Sequence, residues 1–478
     1  MAEHNAARES ADAAEPRWQG ERPDAESVRA SLTSLIPYLS SFWHRPLGDY
    51  ATAVYSVDAR LSSSSARDEA MLRLQRWIAR LARRNGATEQ SANEAARQFS
   101  TAPIIQTGPH CHLLVEPDAF YTHLFSLIGI TARELRWHVW YSASTVKFIE
   151  RPRKGPGWLT LDGDLVNVFG LPRSRLDSFN ICGTNGPYRF ALSTHGSVTH
   201  VNSMAERLKA LLPSLAYQSA ADAIKAANAA LWKRWFPPDV ELLQVDDGDV
   251  GDLLANHLSD DGSWLSQRFV LGGVAVEVLR VVEELDQGPW TGWIRRTTDL
   301  FWALERGRLY PLRLQGQSLV GDGGHASGVA FSPMALAEAL RQRRIVPSLL
   351  VTFIVLSILP GARVLGGCRQ TVYYPLMRYV FARALEKMDE RDVLVSLRAD
   401  VRLGMWGHRV LTPMNGQPFA ELEQLGNVLE LLPEYEGKTL HRACGKLASF
   451  TGDPIWAGMR QHIASGEVRP ASREWQWA

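Results

Sequence analysis

The spacing of apolar residues predicts helices along much of the chain. An apolar stripe through Met71, Leu74, Ile78 and Leu81 recurs at helical intervals and stops at Asn85-Gly86, where a helix ends readily. Similar patterns predict further helices at 89–99, 204–212, 219–235, 275–285 and 333–344. Short runs rich in aromatic and β-branched residues predict strands between them, at 137–141, 309–314 and 409–411. This alternation favours an α/β protein.

Composition and turn-forming residues divide the chain into four parts. Residues 1–28 are polar and lack periodicity, which is typical of a disordered tail. A helical segment at 29–98 follows. The Pro-Pro turn after Trp235 then separates a first α/β half, 99–235, from a second, 236–478. The acidic run 246–249 reads as a solvated loop, and the apolar run 349–359 as a buried strand or core helix too short to span a membrane.

Charge and cysteine usage narrow the class of protein. The 478 residues are 45% hydrophobic and 22% charged with a net charge of +1, so no nucleic-acid or membrane partner is expected. The four cysteines lie far apart and suggest neither a zinc ribbon nor a disulfide scaffold. An N-terminus without an apolar signal core adds to the expectation of a soluble, cytoplasmic protein.

The most informative stretch runs from Ile104 to His123. An apolar run passes through a Gly-Pro turn that carries His110 and His112, and then enters a helical pattern. Ligands of open α/β sheets bind where strands end and helices begin, so these side chains are candidates to meet a small molecule. Because imidazole titrates near neutrality, His110 and His112 are candidate acid–base catalysts.

The same residues also suggest a metal site. His110, His112, Glu116 and His123 offer four nitrogen and oxygen ligands for a divalent metal, and His-x-His-x-x-x-Glu matches the first motif of cupins, which favours iron or manganese. A helical pattern directly after Glu116 argues against a cupin barrel. The alternative is a purely structural role. Glu116, for example, would then be an acidic residue in the first turn of a helix, where the helix dipole favours it.

Other polar residues near turns are candidates to bind a substrate. Lys147 and Arg369 suit anionic groups, whereas Asn185, Tyr188, Arg189 and Gln370 suit polar ones. A hairpin with an Asn-Gly turn would explain 182–190 without any ligand. His195 and His200 lack diagnostic spacing. The glycine-rich loop 321–328 fits a dinucleotide motif poorly, since the next helix begins too late, and neither a Walker loop nor a nucleophile elbow occurs.

Two segments together resemble the bacillithiol synthases, enzymes that add cysteine in the last step of a thiol pathway. In that family a strand ends in a turn of Thr-Gly-Gln-Gln-Pro-Gly type, and a helix rich in Leu, Tyr and Thr follows. The matching residues here are Thr107-Gly108-Pro109-His110-Cys111-His112 and, after them, Phe120-Tyr121-Thr122. Later the family has a Ser-Pro-led helix, a Leu-Pro-containing buried strand, a Gly-Pro turn and an aromatic-rich helix. The segments that follow the same order here are Phe331-Ser332-Pro333, Val346-Pro347-Ser348-Leu349, Leu359-Pro360-Gly361 and Thr371-Val372-Tyr373-Tyr374-Pro375-Leu376.

The resemblance covers residues 99 to 380 and implies a Rossmann-like open parallel sheet with additional helical segments. It also implies chemistry that joins an amine to a small polar partner. The chain departs from the family where paired glutamines give way to His110 and His112, and where 142–147 replaces an acidic-His motif. The long heptad segment through which the family dimerises is missing too, which leaves a homodimer open.

The first functional hypothesis is therefore a biosynthetic enzyme of ligase or transferase type. It would form a carbon–nitrogen bond between an amine or amino acid and a small polar substrate. The alternative is a metal-dependent enzyme, such as an oxygenase, that uses iron, manganese or zinc bound by His110, His112 and Glu116. A scaffold without activity is the third hypothesis. Substrate identity and any use of ATP stay open.

Overall fold

The computed structural model describes residues 24–57, 63–150, 154–194, 203–322, 328–413 and 416–477. The helices of the first half are α1 (Ala25–Leu35), α2 (Leu47–Val54), α3 (Ser65–Arg84), α4 (Glu89–Thr101), α5 (Pro117–Ala132), α6 (Arg173–Ser178), α7 (Ser203–Leu211) and α8 (Ala220–Trp235). Those of the second half are α9 (Asp247–Leu258), α10 (Val274–Leu285), α11 (Pro333–Arg341), α12 (Leu349–Phe353), α13 (Gln370–Lys387), α14 (Arg391–Arg398), α15 (Pro418–Leu425), α16 (Leu432–Glu436), α17 (Leu440–Ala443), α18 (Ala448–Thr451) and α19 (Pro454–Ala464).

A five-stranded, all-parallel sheet positions the candidate site. Its strands are β1 (Ile104–Gln106), β2 (Trp137–Tyr141), β6 (Glu241–Val245), β12 (Arg363–Gly366) and β13 (Gly404–Trp406), in the spatial order β13-β12-β1-β2-β6. Every residue of β1, β2 and β12 is buried, as expected for parallel strands covered on both faces. The α/β class predicted from the sequence is confirmed.

The strand order reverses at the middle of this sheet. If the five parallel strands are renumbered 1 to 5 in chain order, their spatial order is 3-2-1-4-5. The direction in which strands are added therefore reverses between β1 and β12. In open parallel sheets, ligands bind at the carboxyl ends of two such neighbouring strands, where the loops that leave them diverge. The place between the carboxyl ends of β1 and β12 is called the crevice below. Strands from the expected first and second halves thus share one sheet.

Two smaller antiparallel sheets complete the fold. One contains β7 (Phe301–Glu305), β8 (Arg308–Gln315), β9 (Ser318–Gly321), β10 (Val329–Ala330) and β11 (Ile345–Pro347), and the other contains β3 (Trp158–Leu161), β4 (Asp164–Asn167) and β5 (Ser193–Thr194). Most of the glycine-rich loop lies outside the described residues, but it joins β9 to β10, an antiparallel pair. A parallel βαβ unit, which a dinucleotide motif needs, is therefore not its setting.

Several local predictions are corrected by the structure. Residues 1–23 of the expected tail lie outside the described part, and α1 already begins at Ala25. Of the two alternatives for the apolar run 349–359, the core helix is confirmed: α12 continues into a short π-helix, Ile354–Ile358. The predicted strand 409–411 is wrong, because the strand lies earlier, at Gly404–Trp406. Residues 182–190 form no hairpin ladder; Tyr188 instead bridges to Tyr217. Among the helices described, each is too short or too polar to cross a bilayer.

The acidic run 246–249 is the largest correction. It was expected to be a solvated loop, yet it forms the buried start of α9. Asp246 caps the helix by accepting from the backbone N–H of Asp249, and the Asp249 side chain reciprocates. Asp247 accepts hydrogen bonds from the Tyr141 hydroxyl (2.7 Å) and from the N–H groups of Ser144 (2.5 Å) and Thr145 (2.9 Å). The carboxylate of Asp247 thereby ties the loop after β2 to the end of β6.

Candidate functional site

The loop between β1 and α5 brings both candidate histidines to one carboxylate. Nδ1 of His110 lies 2.7 Å from Oε1 of Glu150, and Nε2 of His112 lies 3.7 Å from the same oxygen. His112 is buried, whereas half of the His110 side chain is exposed. When Glu150 accepts the Nδ1 proton of His110, Nε2 of this half-exposed ring keeps its lone pair and can act as a base.

The charges of this cluster favour an ionised Glu150. Burial alone raises the pKa of Glu150, but the charge and hydrogen bond of His110, together with the nearby ring of His112, hold it well below its usual range. Burial likewise lowers the pKa of His112, while the carboxylates of Glu150 and Glu116 outweigh that effect and raise it above its ordinary value. The directions of the two shifts therefore favour a negative Glu150 and make His112 easier to protonate than a free imidazole.

The cluster also has the donor set of a metal site. His110, His112 and Glu150 each place one ligand atom, a ring nitrogen or a carboxylate oxygen, within 4.8 Å of the other two. Two imidazoles and a carboxylate suit iron, manganese or zinc. The carboxylate is Glu150, whereas the sequence suggested Glu116. Glu116 instead caps α5 by accepting from Ala119 N–H (3.1 Å) and lies 3.7 Å from Lys154 Nζ.

The structure places His123 away from this cluster. His123 is buried inside α5, and its Nδ1 lies 3.0 Å from Nε2 of His138 on β2. The rings of Trp140 and Trp232 pack against it edge-on. Burial lowers the pKa of His138 to about 3 and holds that of His123 well below its ordinary value, so both rings stay neutral. His123 is thus part of the packing beneath the sheet.

The crevice between β1 and β12 is lined by a buried amide. Oε1 of Gln370 accepts a hydrogen bond from the Thr107 hydroxyl (2.9 Å), and the side chain folds back over Gly366, where a Cβ would lie 2.0 Å from Cδ of Gln370. The Gln370 Nε2 group is buried and finds no hydrogen-bond partner among the described residues. A buried donor without a partner costs free energy, which makes this amide a candidate for contact with a ligand.

A third histidine, which the sequence analysis did not single out, borders the same crevice. Nδ1 of His408, just after β13, lies 2.8 Å from the Thr122 hydroxyl, which itself donates to the carbonyl of Asp118 (2.6 Å). The hydroxyl proton is therefore used, so Nδ1 of His408 must donate and Nε2 is left as an acceptor. Burial lowers the pKa of His408 to about 3, and the ring stays neutral.

Opposite charges flank these histidines. The carboxylate of Asp118 at the start of α5 pairs with Lys154 and with Arg409, whose Nε lies 3.0 Å away. Burial raises the pKa of Asp118, but Arg409 and Lys154 lower it further than burial raises it. Lys154 and Arg409 are thus already paired with Asp118, so their charges are compensated locally beside the crevice.

The remaining predicted residues are dispersed. Lys147 is exposed and forms a backbone bridge with Asn180, while Arg189 is exposed on the loop that follows the Asn-Gly turn. Tyr188 is buried, stacks on Phe148 and donates to Asn185 Oδ1 at 2.6 Å. Arg369 binds the Asp453 carboxylate through Nε (2.7 Å) and a terminal nitrogen (3.2 Å). His195 and His200 lie outside the described residues. Of the predicted substrate-binding residues, Gln370 is the one that faces the crevice.

Sequence reasoning missed Glu150 and His408. Glu150 lies 40 residues from His110, and no spacing rule links positions so far apart. His408 follows the apolar residues Met405 and Trp406 and a glycine, the pattern of a strand that ends in a polar loop. That signal was present, but the strand was assigned a few residues too late. Neither the scan of protein-family models nor the search of curated proteins found a match for this chain.

Proposed function

We propose that this chain is an enzyme of ligase or transferase type that acts on a small polar molecule held at the carboxyl ends of β1 and β12. The observation that carries the proposal is the pairing of His110 Nδ1 with Glu150 at 2.7 Å, on the loop that leaves the central strand. A carboxylate that fixes the tautomer of an exposed imidazole is a recurrent arrangement for general base catalysis. The parallel strand order supports a Rossmann-like core around it.

In the proposed reaction His110 handles the proton of an amine. As the amine nitrogen forms its new bond to a carbon of the second substrate, the bond from that carbon to an oxygen leaving group breaks, and its electron pair departs with the oxygen. Nε2 of His110 accepts the proton that the nitrogen loses, and Glu150 stabilises the resulting imidazolium. Gln370 and Thr107 would orient the polar partner in the crevice. The choice of carbon–nitrogen bond formation comes from the resemblance to the bacillithiol synthases, whose motif order this chain shares.

The test is a search for product with matched histidine variants. The protein would be incubated with the common amino acids and a cellular small-molecule extract, with and without ATP, and new masses followed by liquid chromatography and mass spectrometry. We expect His110→Ala and Glu150→Gln to abolish a product that the wild type forms. His462→Ala is the control, since His462 pairs with Glu467 at the same 2.7 Å but lies on α19. Equal product from His110→Ala would overturn the proposal.

A second candidate is a metal-dependent enzyme, favoured by the mutual proximity of ligand atoms on His110, His112 and Glu150. A 2-His-1-carboxylate set leaves further coordination positions open to substrate and suits iron(II) chemistry. Elemental analysis of untagged protein distinguishes the candidates. Near-stoichiometric iron, manganese or zinc that disappears in His112→Ala would favour the metalloenzyme, whereas wild-type protein that binds none of the three when they are supplied would exclude it.

A further inference from the structure

The strand β6 lies at one edge of the parallel sheet and pairs on one side alone. Its neighbour is β2, and the pairing is parallel. At the start of β6 the N–H of Glu241 donates to the carbonyl of Arg136 (2.7 Å). At its end the carbonyl of Val245 accepts from the N–H of Ser142 (2.9 Å). Because successive residues of a strand point their backbone groups to alternate sides, the first, third and fifth residues of β6 bond to β2.

The second and fourth residues of β6, Leu242 and Gln244, point their backbone groups to the free edge. The N–H and C=O groups of these two residues have no hydrogen-bond partner within the part of the chain that the structure describes. Leu242 is half-buried and Gln244 is 5% exposed. Buried peptide groups nearly always have a partner, which marks this edge as a place for a ligand with matching peptide groups.

A cavity of about 900 Å³ lies against this edge, and both Leu242 and Gln244 line it. The helix α8 forms another wall with Ala226 and Ala229, whose small side chains leave space beside the strand, and with the flat ring of Trp232. The volume falls in the range of small-molecule sites in proteins, roughly 300–1,000 Å³. The proposed reaction does not use this cavity.

The side chains around the cavity carry no net charge. Four cations and four carboxylates line it. Several of them are paired with one another: Nζ of Lys225 lies 2.9 Å from Asp249 and 3.3 Å from Asp246, and Arg84 also binds Asp249. A cavity lined in this way does not favour a ligand of strong net charge. The unpaired backbone groups of β6 are the specific interaction that it offers.

An extended peptide matches these features. Its N–H and C=O groups repeat along the chain at the spacing of a strand, about 3.3 Å per residue, so they can pair with the free groups of β6. Addition of a peptide strand to an open sheet edge is a recurrent mode of recognition, in which the main chain supplies affinity. Leu242 and Gln244 are two positions apart, so a peptide of three residues, about 10 Å long, is sufficient to pair with both.

We propose that this cavity binds a short peptide of low net charge, which adds to the free edge of β6 as a sixth strand of the parallel sheet. The peptide backbone pairs with the N–H and C=O groups of Leu242 and Gln244, beside the wall formed by α8. This site is separate from the His110 cluster, and the inference does not depend on the proposed function.

The experiment is affinity selection from a library of tripeptides that are acetylated, amidated and built from uncharged amino acids. Retained members are identified by mass spectrometry, and the tightest one is measured by isothermal titration calorimetry. Its peptide nitrogens are then methylated one at a time. We expect at least one methylated form to bind about tenfold more weakly, because the methyl group removes a donor and blocks strand pairing.

Variants of the protein locate the binding. Leu242→Pro removes a free N–H but no hydrogen bond to β2, a change that an edge strand tolerates, and should weaken binding about tenfold. Ala229→Leu fills the cavity and should abolish binding, whereas Ala210→Leu, also exposed but on α7 and outside the cavity lining, should preserve it. His110→Ala should bind the peptide like the wild type, so failure of the proposed reaction would leave this result standing.

Three results would each overturn the proposal. The first is a library from which no tripeptide is retained. The second is equal affinity of the parent peptide and all its methylated forms. The third is unchanged binding by Ala229→Leu in protein that circular dichroism shows to be folded, a result that decides the question even if Leu242→Pro does not fold.

Discussion

His408 fills the space that a side chain at Gly108 would need. A Cβ built on Gly108 would lie 2.7 Å from Cγ of His408. Gly108 lies in the loop after β1 and His408 in the loop after β13, so this contact joins two loops that border the crevice. The glycine therefore sets how closely His408 can approach the His110 loop.

Gly108→Ala should displace His408. Since the added methyl group overlaps the ring, we expect a loss of about 1–3 kcal/mol in the free energy of unfolding, measured by urea denaturation. Gly437→Ala is the matched control, because no atom lies within 4 Å of a Cβ there. Equal stability of the two variants would show that the ring moves aside freely.

Glu150→Gln should lower the pKa of His112. Burial of the ring remains, while Glu150, one of the two carboxylates that offset burial, is gone. The pKa is raised in the folded state, so this pair adds stability below the unfolded value of about 6.5 and loses it as pH rises through the folded value. Histidine Cε1–H signals followed by NMR across pH 4–9 measure the shift. Glu467→Gln, which affects His462 instead, should leave His112 unchanged; a shift of the same size there would contradict the assignment.

Asp247→Ala should be strongly destabilising. The carboxylate accepts from Tyr141, Ser144 and Thr145, and all these donors would be left without it in a buried site. We expect a loss on the order of 3 kcal/mol by chemical denaturation. Asp239→Ala, at an exposed turn, should change little. A loss below about 1 kcal/mol would mean that water replaces the carboxylate and that the loop after β2 is held by other contacts.

Asp246→Asn should change how stability depends on pH. The pKa of Asp246 is raised to about 7 by burial and by Asp249, so the folded state binds this proton more tightly than the unfolded state. Ionisation therefore lowers wild-type stability progressively from about pH 4 to pH 7, and a neutral amide escapes this cost. Asparagine also keeps the helix cap. Urea unfolding at pH 5 and pH 8 should favour the variant more at pH 8; a constant difference, like that expected for Asp239→Asn, would refute this.

The pattern of apolar residues determined the class of fold and several of the longer helices, among them α3, α4, α8 and α10. The prediction at Asn85-Gly86 was right because the apolar stripe of α3 ends there. The boundaries of β2 followed from a five-residue segment in which four residues are strand formers. These signals are local: each depends on residues within a few turns or a single strand. The loop after β1 was likewise recognisable as a place for chemistry, since two histidines lie between a strand and a helix.

Only the tertiary structure decided which side chains meet. The carboxylate beside His110 and His112 is Glu150 rather than Glu116, because Glu116 is engaged at the helix start while the chain after β2 returns Glu150 to the cluster. Asp246, Asp247 and Asp249 looked solvated because charge alone predicts exposure, yet distant partners on α3, α8 and the loop after β2 allow their burial. Sequence spacing cannot report such pairings, since they depend on how parallel strands are ordered in space.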